Sequence, residues 1–294
     1  MSGALRVPGV PGLLDVIKGH GTENDFVVVP DFDGELDLTP HLVRALCDRR
    51  AGIGADGVLR VVRSAHVAED SDAEWFMDYR NADGSIAETC GNGVRVFARY
   101  LASLQLIGPD ETIGTRGGDV RVQMGDDATV AVHLGRPRLL SERPLVSAVG
   151  GADNEPGTCV EMPNPHVVVG VDAAVLDALD LATAPTVSPA LPHGQNVEFV
   201  AQLDRRHLRM RVHERGVGET RSCGTGICAA VAANGAPDGS RWRVDVPGGT
   251  CHVTWQVDGD IVLAGPAVLV AQVALTQQWL SAVGQGEWSA TARR

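Results

Sequence analysis

The feature that most limits how this chain can fold is a repeat. Glu88-Thr89-Cys90-Gly91-Asn92-Gly93 returns in altered form as Arg221-Ser222-Cys223-Gly224-Thr225-Gly226, and the two copies have matching surroundings. Before the first, Trp75, Met77 and Tyr79 alternate with Glu74, Phe76 and Asp78; before the second, Leu208, Met210 and Val212 alternate with Arg209, Arg211 and His213. Both runs have the period of a strand. Asn81-Ala82-Asp83-Gly84 and Arg215-Gly216-Val217-Gly218 then supply turns, because Gly and Asn tolerate positive φ. A helix follows each cysteine. Val94, Phe97, Ala98, Leu101 and Leu104 recur at helical spacing in the first, whereas Ile227-Cys228-Ala229-Ala230-Val231-Ala232-Ala233 is apolar all round. A helix without a polar face has to be buried.

The glycines around Asn92 and Thr225 keep side chains off the first helical turn, so its free backbone N–H groups can face an anion such as a carboxylate. The same helix end favours thiolate over thiol: free cysteine has a pKa of about 8.5, and suitable helix N-termini bring it to roughly 3.5 to 7.5. Taken singly, Cys-Gly-x-Gly is a helix start carrying a small hydrophobe. Two copies in equivalent contexts point to a paired acid/base site with two tunable thiols beside two anion sites.

At 294 residues the chain suits two units, each large enough for its own core. We expect a first half over 1–134, joined by the C-terminal segment 275–294 and carrying Cys90, and a second half over 135–274 carrying Cys223. Hydrophobic residues at 44% and the lack of any 18-residue apolar run describe a soluble chain that does not span a membrane. Met1 to Gly12 has neither a basic n-region nor a long apolar stretch, which places the protein in the cytoplasm. A net charge of -12 argues against nucleic acid, which needs clustered basic residues. The cysteines at 47, 90, 159, 223, 228 and 251 form no Cys-x-x-Cys pair and no set with zinc spacing, so no metal is expected. Cys47, Cys159 and Cys251 read as small core residues.

In chain order, Val16 to Val29 is a strand, a polar glycine loop that can present Asn24, and a second strand. Thr39 and Pro40 start an amphipathic helix with Leu42, Val43 and Leu46, Thr39 serving as N-cap. Gly52 to Gly57 turns the chain into the strand Val58 to Val62 and lacks the strand-to-helix setting of a nucleotide loop. Val120–Val122 and Val130–Leu134 pair around Gly125-Asp126-Asp127, and the Pro-rich segment Gly135–Gly157 is the expected crossing into the second half. There Asn164-Pro165-His166 opens a β-branched strand, with Asn164 held extended by Pro165. Asn196 stands at the mouth of another strand, and Trp242–Val246, Cys251–Trp255 and Ile261–Ala264 follow. Single long helices among many strands mean α+β.

Together, Lys18 to Phe26, Tyr79 to Gly84, Cys90 to Gly93, Asn164-Pro165-His166, Asn196, Glu214 to Thr220 and Cys223 to Gly226 resemble the diaminopimelate epimerase family, in order and over nearly the whole chain. The resemblance implies an α+β fold of two pseudo-symmetric halves, each a β-sheet or barrel wrapped around a central helix, with the site in the cleft between them. It implies interconversion of LL- and meso-diaminopimelate for lysine and peptidoglycan precursors, without pyridoxal phosphate or metal, by an enzyme commonly homodimeric. Carried over by motif, Cys90 and Cys223 are the acid/base pair, and Gly91, Asn92, Gly224 and Thr225 bind the reacting carboxylate. Asn24 and Glu214 contact the reacting end. Asn81, Asn164, Asn196 and Arg215 hold the distal amino-acid centre, and His166 and Glu214 tune the thiols. The chain departs from the family at Gly19, Thr22 and Glu23, where Met, Leu and Gly are common, and at Gly57, where a site glutamine is common. Gly57 is therefore left out of the site.

Other readings remain. A proline or hydroxyproline racemase shares the two-thiol logic but has His after the first Cys-Gly, where this chain has Asn92. Outside catalysis, the chain could be a binding protein or a thiol redox switch on the same fold, although a binding protein needs neither thiol.

Overall fold

The computed structural model describes residues 14–67, 70–125 and 129–283. Its first half is a run of strands: β1 (Leu14–Gly21), β2 (Asn24–Pro30), β3 (Gly57–Arg63), β4 (Trp75–Asn81), β5 (Asp110–Gly114), β6 (Val120–Met124) and β7 (Thr129–His133). Helix α1 (Pro40–Cys47) lies between β2 and β3, and α2 (Gly91–Ser103) between β4 and β5. The second half begins with β8 (Arg138–Leu139), β9 (Leu145–Ala148), β10 (Ala152–Met162) and β11 (Asn164–Gly170). It goes on through α3 (Ala173–Ala178), β12 (Thr186–Ser188), β13 (Asn196–Asp204), β14 (His207–Glu214), β15 (Gly218–Thr220) and α4 (Gly224–Asn234). Last come β16 (Arg241–Val246), β17 (Gly249–Trp255), β18 (Ile261–Pro266), β19 (Val268–Leu275) and α5 (Gln277–Ala282).

Strand pairing repeats between the halves. From β1 to β7 neighbours pair antiparallel, parallel, antiparallel, parallel, antiparallel and antiparallel. The series β10, β11, β13, β14, β16, β17, β18 pairs in the same sequence of senses. The registers match as well: Phe26, third in β2, faces Gly57, first in β3, just as His166, third in β11, faces Asn196, first in β13. The halves join where β7 pairs with β18, and β19 then returns to lie on β1.

Each series wraps a helix that starts at a repeat cysteine. Val94, Val96, Phe97, Ala98 and Leu101 of α2 are buried among Phe26, Leu59, Met77, Ile113 and Val132. Full burial stabilises by about 1.5–3 kcal/mol for each large apolar side chain. In the second half Ile227 to Ala232 of α4 are buried among Val160, Met210, Val244 and Leu263, as the missing polar face demands. A second helix covers the outside of each sheet: α1 packs Leu42, Val43 and Leu46 on Val27, Val29 and Val58, and α3 packs Leu176 near Val169 and Phe199. Thr39 caps α1, its Oγ1 accepting from Leu42 N at 3.2 Å.

This double layering corrects the expected alternation in β4. Trp75, Phe76, Met77 and Asp78 are all buried, because one face meets α2 and the other lies under cover as well. The Pro-rich crossing Gly135–Gly157 is likewise largely stranded, holding β8, β9 and the start of β10, with Val146 and Ala152 in the outer core. Residues 126–127 of the expected Gly125-Asp126-Asp127 turn, the Met1–Gly12 start and the end beyond 283 lie outside the described residues. Among the described residues no helix is long and apolar enough to cross a membrane.

Candidate active site

Cys90 and Cys223 are the N-caps of α2 and α4, both with extended backbone. The first intrahelical bonds are Val94 N–H to Cys90 O and Ile227 N–H to Cys223 O, at 2.8 and 2.9 Å. The N–H groups of Gly91, Asn92, Gly224 and Thr225 therefore precede the ladder and remain for an anion, with the positive helix end behind them. Cys90 Sγ accepts from Gly93 N at 3.4 Å, and Cys223 Sγ lies 3.5 Å from Thr225 Oγ1.

The two helix starts meet across the join between the halves. Asn92 Nδ2 donates to Ser222 O at 3.1 Å and to Asn24 Oδ1 at 3.2 Å. A Cβ placed on Gly224 would sit 3.3 Å from Asn92 Oδ1, so the glycine lets the helices approach. Asn24 is fixed from behind, its Nδ2 donating to Asp56 Oδ2 at 2.8 Å, and its Oδ1 accepts a long contact of 3.8 Å from the Cys90 thiol. Asn92, Asn24 and Cys90 thus form a polar seam that meets the Cys223 helix start at Ser222 O.

Burial works against the helix end at both thiols. Cys223 is buried, and burial pushes its thiol well above the usual range, with the Glu214 and Glu198 carboxylates adding to the rise. Cys90 keeps some exposure as a residue, yet the atoms packed round its sulfur push its thiol up to about 11. There the Gly93 N–H pulls the other way and Glu214 adds to the rise. Desolvation of the charged form and nearby carboxylates outweigh the helix end. Glu214, the one carboxylate felt by both thiols, is itself raised by burial, while the Thr220 hydroxyl it accepts from offsets part of that rise.

The distal group is less uniformly assembled. Asn164 Oδ1 lies 3.0 Å from His166 Nε2, and Asn196 Oδ1 accepts from Arg215 N at 2.9 Å. Arg215 is exposed and its guanidinium donates to His193 O. Asn81 closes its own turn, Nδ2 donating to Ser85 Oγ at 3.0 Å. The two ring nitrogens of His166 face Glu198 and Asn164, so its hydrogen bonds go to neither sulfur.

Several site residues escape the sequence reading. Glu198 is fully buried against His166; the signal available was a lone carboxylate inside the apolar run Val197 to Val200. Thr22 and Ser222 share a 2.6 Å hydrogen bond across the halves, and Arg95, fully buried in α2, donates to Thr22 Oγ1 at 3.1 Å. Thr22 and Glu23 form the two-residue β1–β2 turn with φ of 51° and 61°, a conformation normally left to Asn and Gly. Contacts from the other half, including the Arg221–Glu23 ion pair, hold it. Gly57 has no room for any side chain, since a Cβ would come 2.7 Å from Tyr79 Cε2 and 2.6 Å from Arg80 O. The Tyr79 ring takes up the space into which a glutamine there would project.

A sequence profile of diaminopimelate epimerase matches residues 16–140 and 158–270. The diaminopimelate epimerase of Streptomyces coelicolor is 50% identical over 284 residues, spanning 91% of this chain and 97% of that protein. The chain belongs to the diaminopimelate epimerase family. The diaminopimelate epimerase of Thermobifida fusca is 49% identical over 87% of this chain and 95% of its own length. Among solved structures, a Bacillus anthracis phenazine biosynthesis protein of the PhzF family superposes with a TM-score of 0.68 at 18% identity, covering 90% of this chain and 99% of its own. A hydroxyproline epimerase from Agrobacterium vitis gives 0.65 at 15%, over 97% and 99%. These two share the fold. With the family established, the α+β architecture of two matched halves around central helices stands as its fold.

Proposed function

We propose that this diaminopimelate epimerase interconverts LL- and meso-diaminopimelate, within lysine and peptidoglycan precursor synthesis, using Cys90 and Cys223 as a two-base pair. The observation that carries the mechanism is the meeting of two cysteine-capped helix starts, tied by Asn92 to Ser222 O at 3.1 Å. A substrate carboxylate bound by the N–H groups of Gly91, Asn92, Gly224 and Thr225 would hold its α-carbon between the sulfurs. One thiolate takes the α-proton, leaving the electron pair delocalised into that carboxylate, where the helix ends oppose the added charge. The opposite thiol returns a proton to the other face, so the protein ends with the thiolate on the opposite side. Which cysteine acts as base depends on the configuration bound.

A thiol with a raised pKa is a strong base once ionised, and the water-poor seam favours proton transfer to carbon over exchange with solvent. Glu214 contacts the reacting end and sets the charge felt by both thiols. Asn81, Asn164, Asn196 and Arg215 receive the distal centre; Arg215 is exposed and its guanidinium donates to the His193 carbonyl, from which it can turn onto a distal carboxylate. We take the halves as 1–134 with the chain from β19 onward, and 135–267, because β19 lies on β1. A cytoplasmic homodimer is part of this reading. Incubation with LL-diaminopimelate in D₂O tests it: α-deuterium should enter product as the meso isomer forms, and substrate recovered without label or inversion refutes it.

A further inference from the structure

The matched halves place different chemistry beneath their two cysteine helices. In the first half Phe26, third in β2, and Leu59, third in β3, are fully buried, and a Cβ on Gly93 would meet Leu59 Cδ2 at 3.1 Å. The equivalent positions of the second half, third in β11 and third in β13, hold His166 and Glu198. Both are fully buried, and a Cβ on Gly226 would fall 2.5 Å from Glu198 Oε1. One half therefore shows that an apolar pair suffices to seat this helix. Replacing a buried ionisable pair by well-packed apolar residues is often neutral or stabilising, so stability does not account for His166 and Glu198.

Their hydrogen bonds run in one direction. Glu198 Oε1 lies 2.7 Å from His166 Nδ1, and His166 Nε2 lies 3.0 Å from Asn164 Oδ1. An amide oxygen only accepts, so Nε2 carries the hydrogen. Asn164 then faces inward by its oxygen, and its amide N–H groups, which bond to none of the described residues, are left for an acceptor outside the protein. The 2.7 Å contact needs one hydrogen between its two acceptor-capable atoms, carried by Nδ1 or by the Glu198 carboxyl. Glu198 Oε2 is buried with no partner among the described residues, so this carboxyl group is held by the His166 contact.

We propose that Glu198 is a positioning residue for epimerisation, which fixes the His166 ring so that Asn164 presents its amide N–H groups to the distal end of the substrate. The inference rests on the epimerase reading above and goes beyond it by giving His166 a role directed at Asn164 and not at a sulfur. It predicts an effect on substrate binding that a merely structural pair would not produce.

The test compares Glu198→Leu, which copies the first half, with Glu198→Gln, whose amide can donate to Nδ1 and keep Nε2–H on Asn164. For wild type and variants, kcat and KM are measured with LL-diaminopimelate, and the His166 tautomer is read at pH 8 from ring ¹⁵N shifts. Glu198→Leu should raise KM about tenfold or more and lose the fixed Nε2–H of His166, since small misplacements of a binding group cost up to about 10²-fold. Glu198→Gln should stay within about threefold of wild type. A folded Glu198→Leu with unchanged KM overturns the proposal, as does a Glu198→Gln variant as impaired as Glu198→Leu. If Glu198→Leu does not fold, the wild-type spectrum decides: Nε2 without its hydrogen at pH 8 overturns the assignment. Wild type that neither exchanges nor inverts diaminopimelate sinks the epimerase reading itself, whereas active wild type with an indifferent Glu198→Leu sinks only this one.

Discussion

Cys90→Ala separates what the sulfur does for the fold from what it does for the reaction. Structurally it removes one acceptor, held from Gly93 N at 3.4 Å, and one weak contact to Asn24 Oδ1 at 3.8 Å. An N-cap loss costs about 0.5–2 kcal/mol, and the length of this bond places it near the lower end. Removing a partly buried sulfur adds a burial loss of about 1 kcal/mol, on the scale of one buried methylene. Together these should lower Tm by about 3–6 °C, given ~2–4 °C per kcal/mol in proteins of this size class. Chemically the variant has no proton carrier on one face of the α-carbon. General acid/base groups contribute about 10²–10⁴ in rate, and inversion needs both faces, so turnover should fall by at least ~10³, or about 4 kcal/mol in barrier. Calorimetry or a circular-dichroism melt reads the first effect, and meso-diaminopimelate formation with α-deuterium incorporation reads the second. A folded Cys90→Ala variant retaining more than about a tenth of wild-type turnover refutes the two-thiol mechanism, since that loss would be far below the acid/base range.

Four further tests probe the surroundings. Glu214 raises both thiols, so Glu214→Gln should lower them, increase the thiolate fraction and speed iodoacetamide labelling of Cys90 severalfold at pH 8; slower labelling would reverse the sign assigned to this carboxylate. In wild type, the same labelling should quicken with each pH unit up to about 11, the value to which burial pushes the Cys90 thiol, and a plateau already at pH 7 would contradict that. Arg215→Met should cut kcat/KM for diaminopimelate by about 10–100-fold and narrow the preference over lysine, the loss of a bidentate carboxylate contact. Unchanged discrimination would remove Arg215 from the distal pocket. Gly57→Gln, which restores the residue common in the family, should destabilise by about 1–3 kcal/mol, because Tyr79 Cε2 and Arg80 O stand within 2.7 Å of the new Cβ. A melt at or above the wild-type temperature would show that Tyr79 yields freely.

What the sequence shows of this protein is set by how local each cause is. Thr39–Pro40 starts α1 as expected, because a cap and its N–H partner lie three residues apart. The Cys-Gly-x-Gly copies mark α2 and α4 for the same reason, and the apolar circumference of α4 announces its burial. Causes that act between distant segments leave no such mark. The β1–β2 turn falls on Thr22-Glu23, because Ser222, Arg95 and Arg221 supply the contacts that hold positive φ there. The acidity of the thiols is likewise set by distant segments. A helix start predicts a lowered thiol, but burial and carboxylates arriving from β13 and β14 raise both.

The last asymmetry follows from the repeat. Two matched halves would give two equivalent thiols, and a substrate whose reacting carbon inverts does present them with nearly mirror-related tasks. The rest of the molecule breaks the match: the distal end of diaminopimelate extends to one side only, so the pockets flanking the seam cannot be alike. Asn24 and Asn164 both lead their strands, yet Asn24 is anchored by Asp56 and itself touches the Cys90 thiol, while Asn164 is tied through His166 to Glu198. Gly57 and Asn196 also correspond, as do Asn81 and Glu214, and in each pair the two residues differ in kind. On the proposed mechanism, the fold repeats where it grips the α-carbon from both faces and diverges where it tells one end of the substrate from the other.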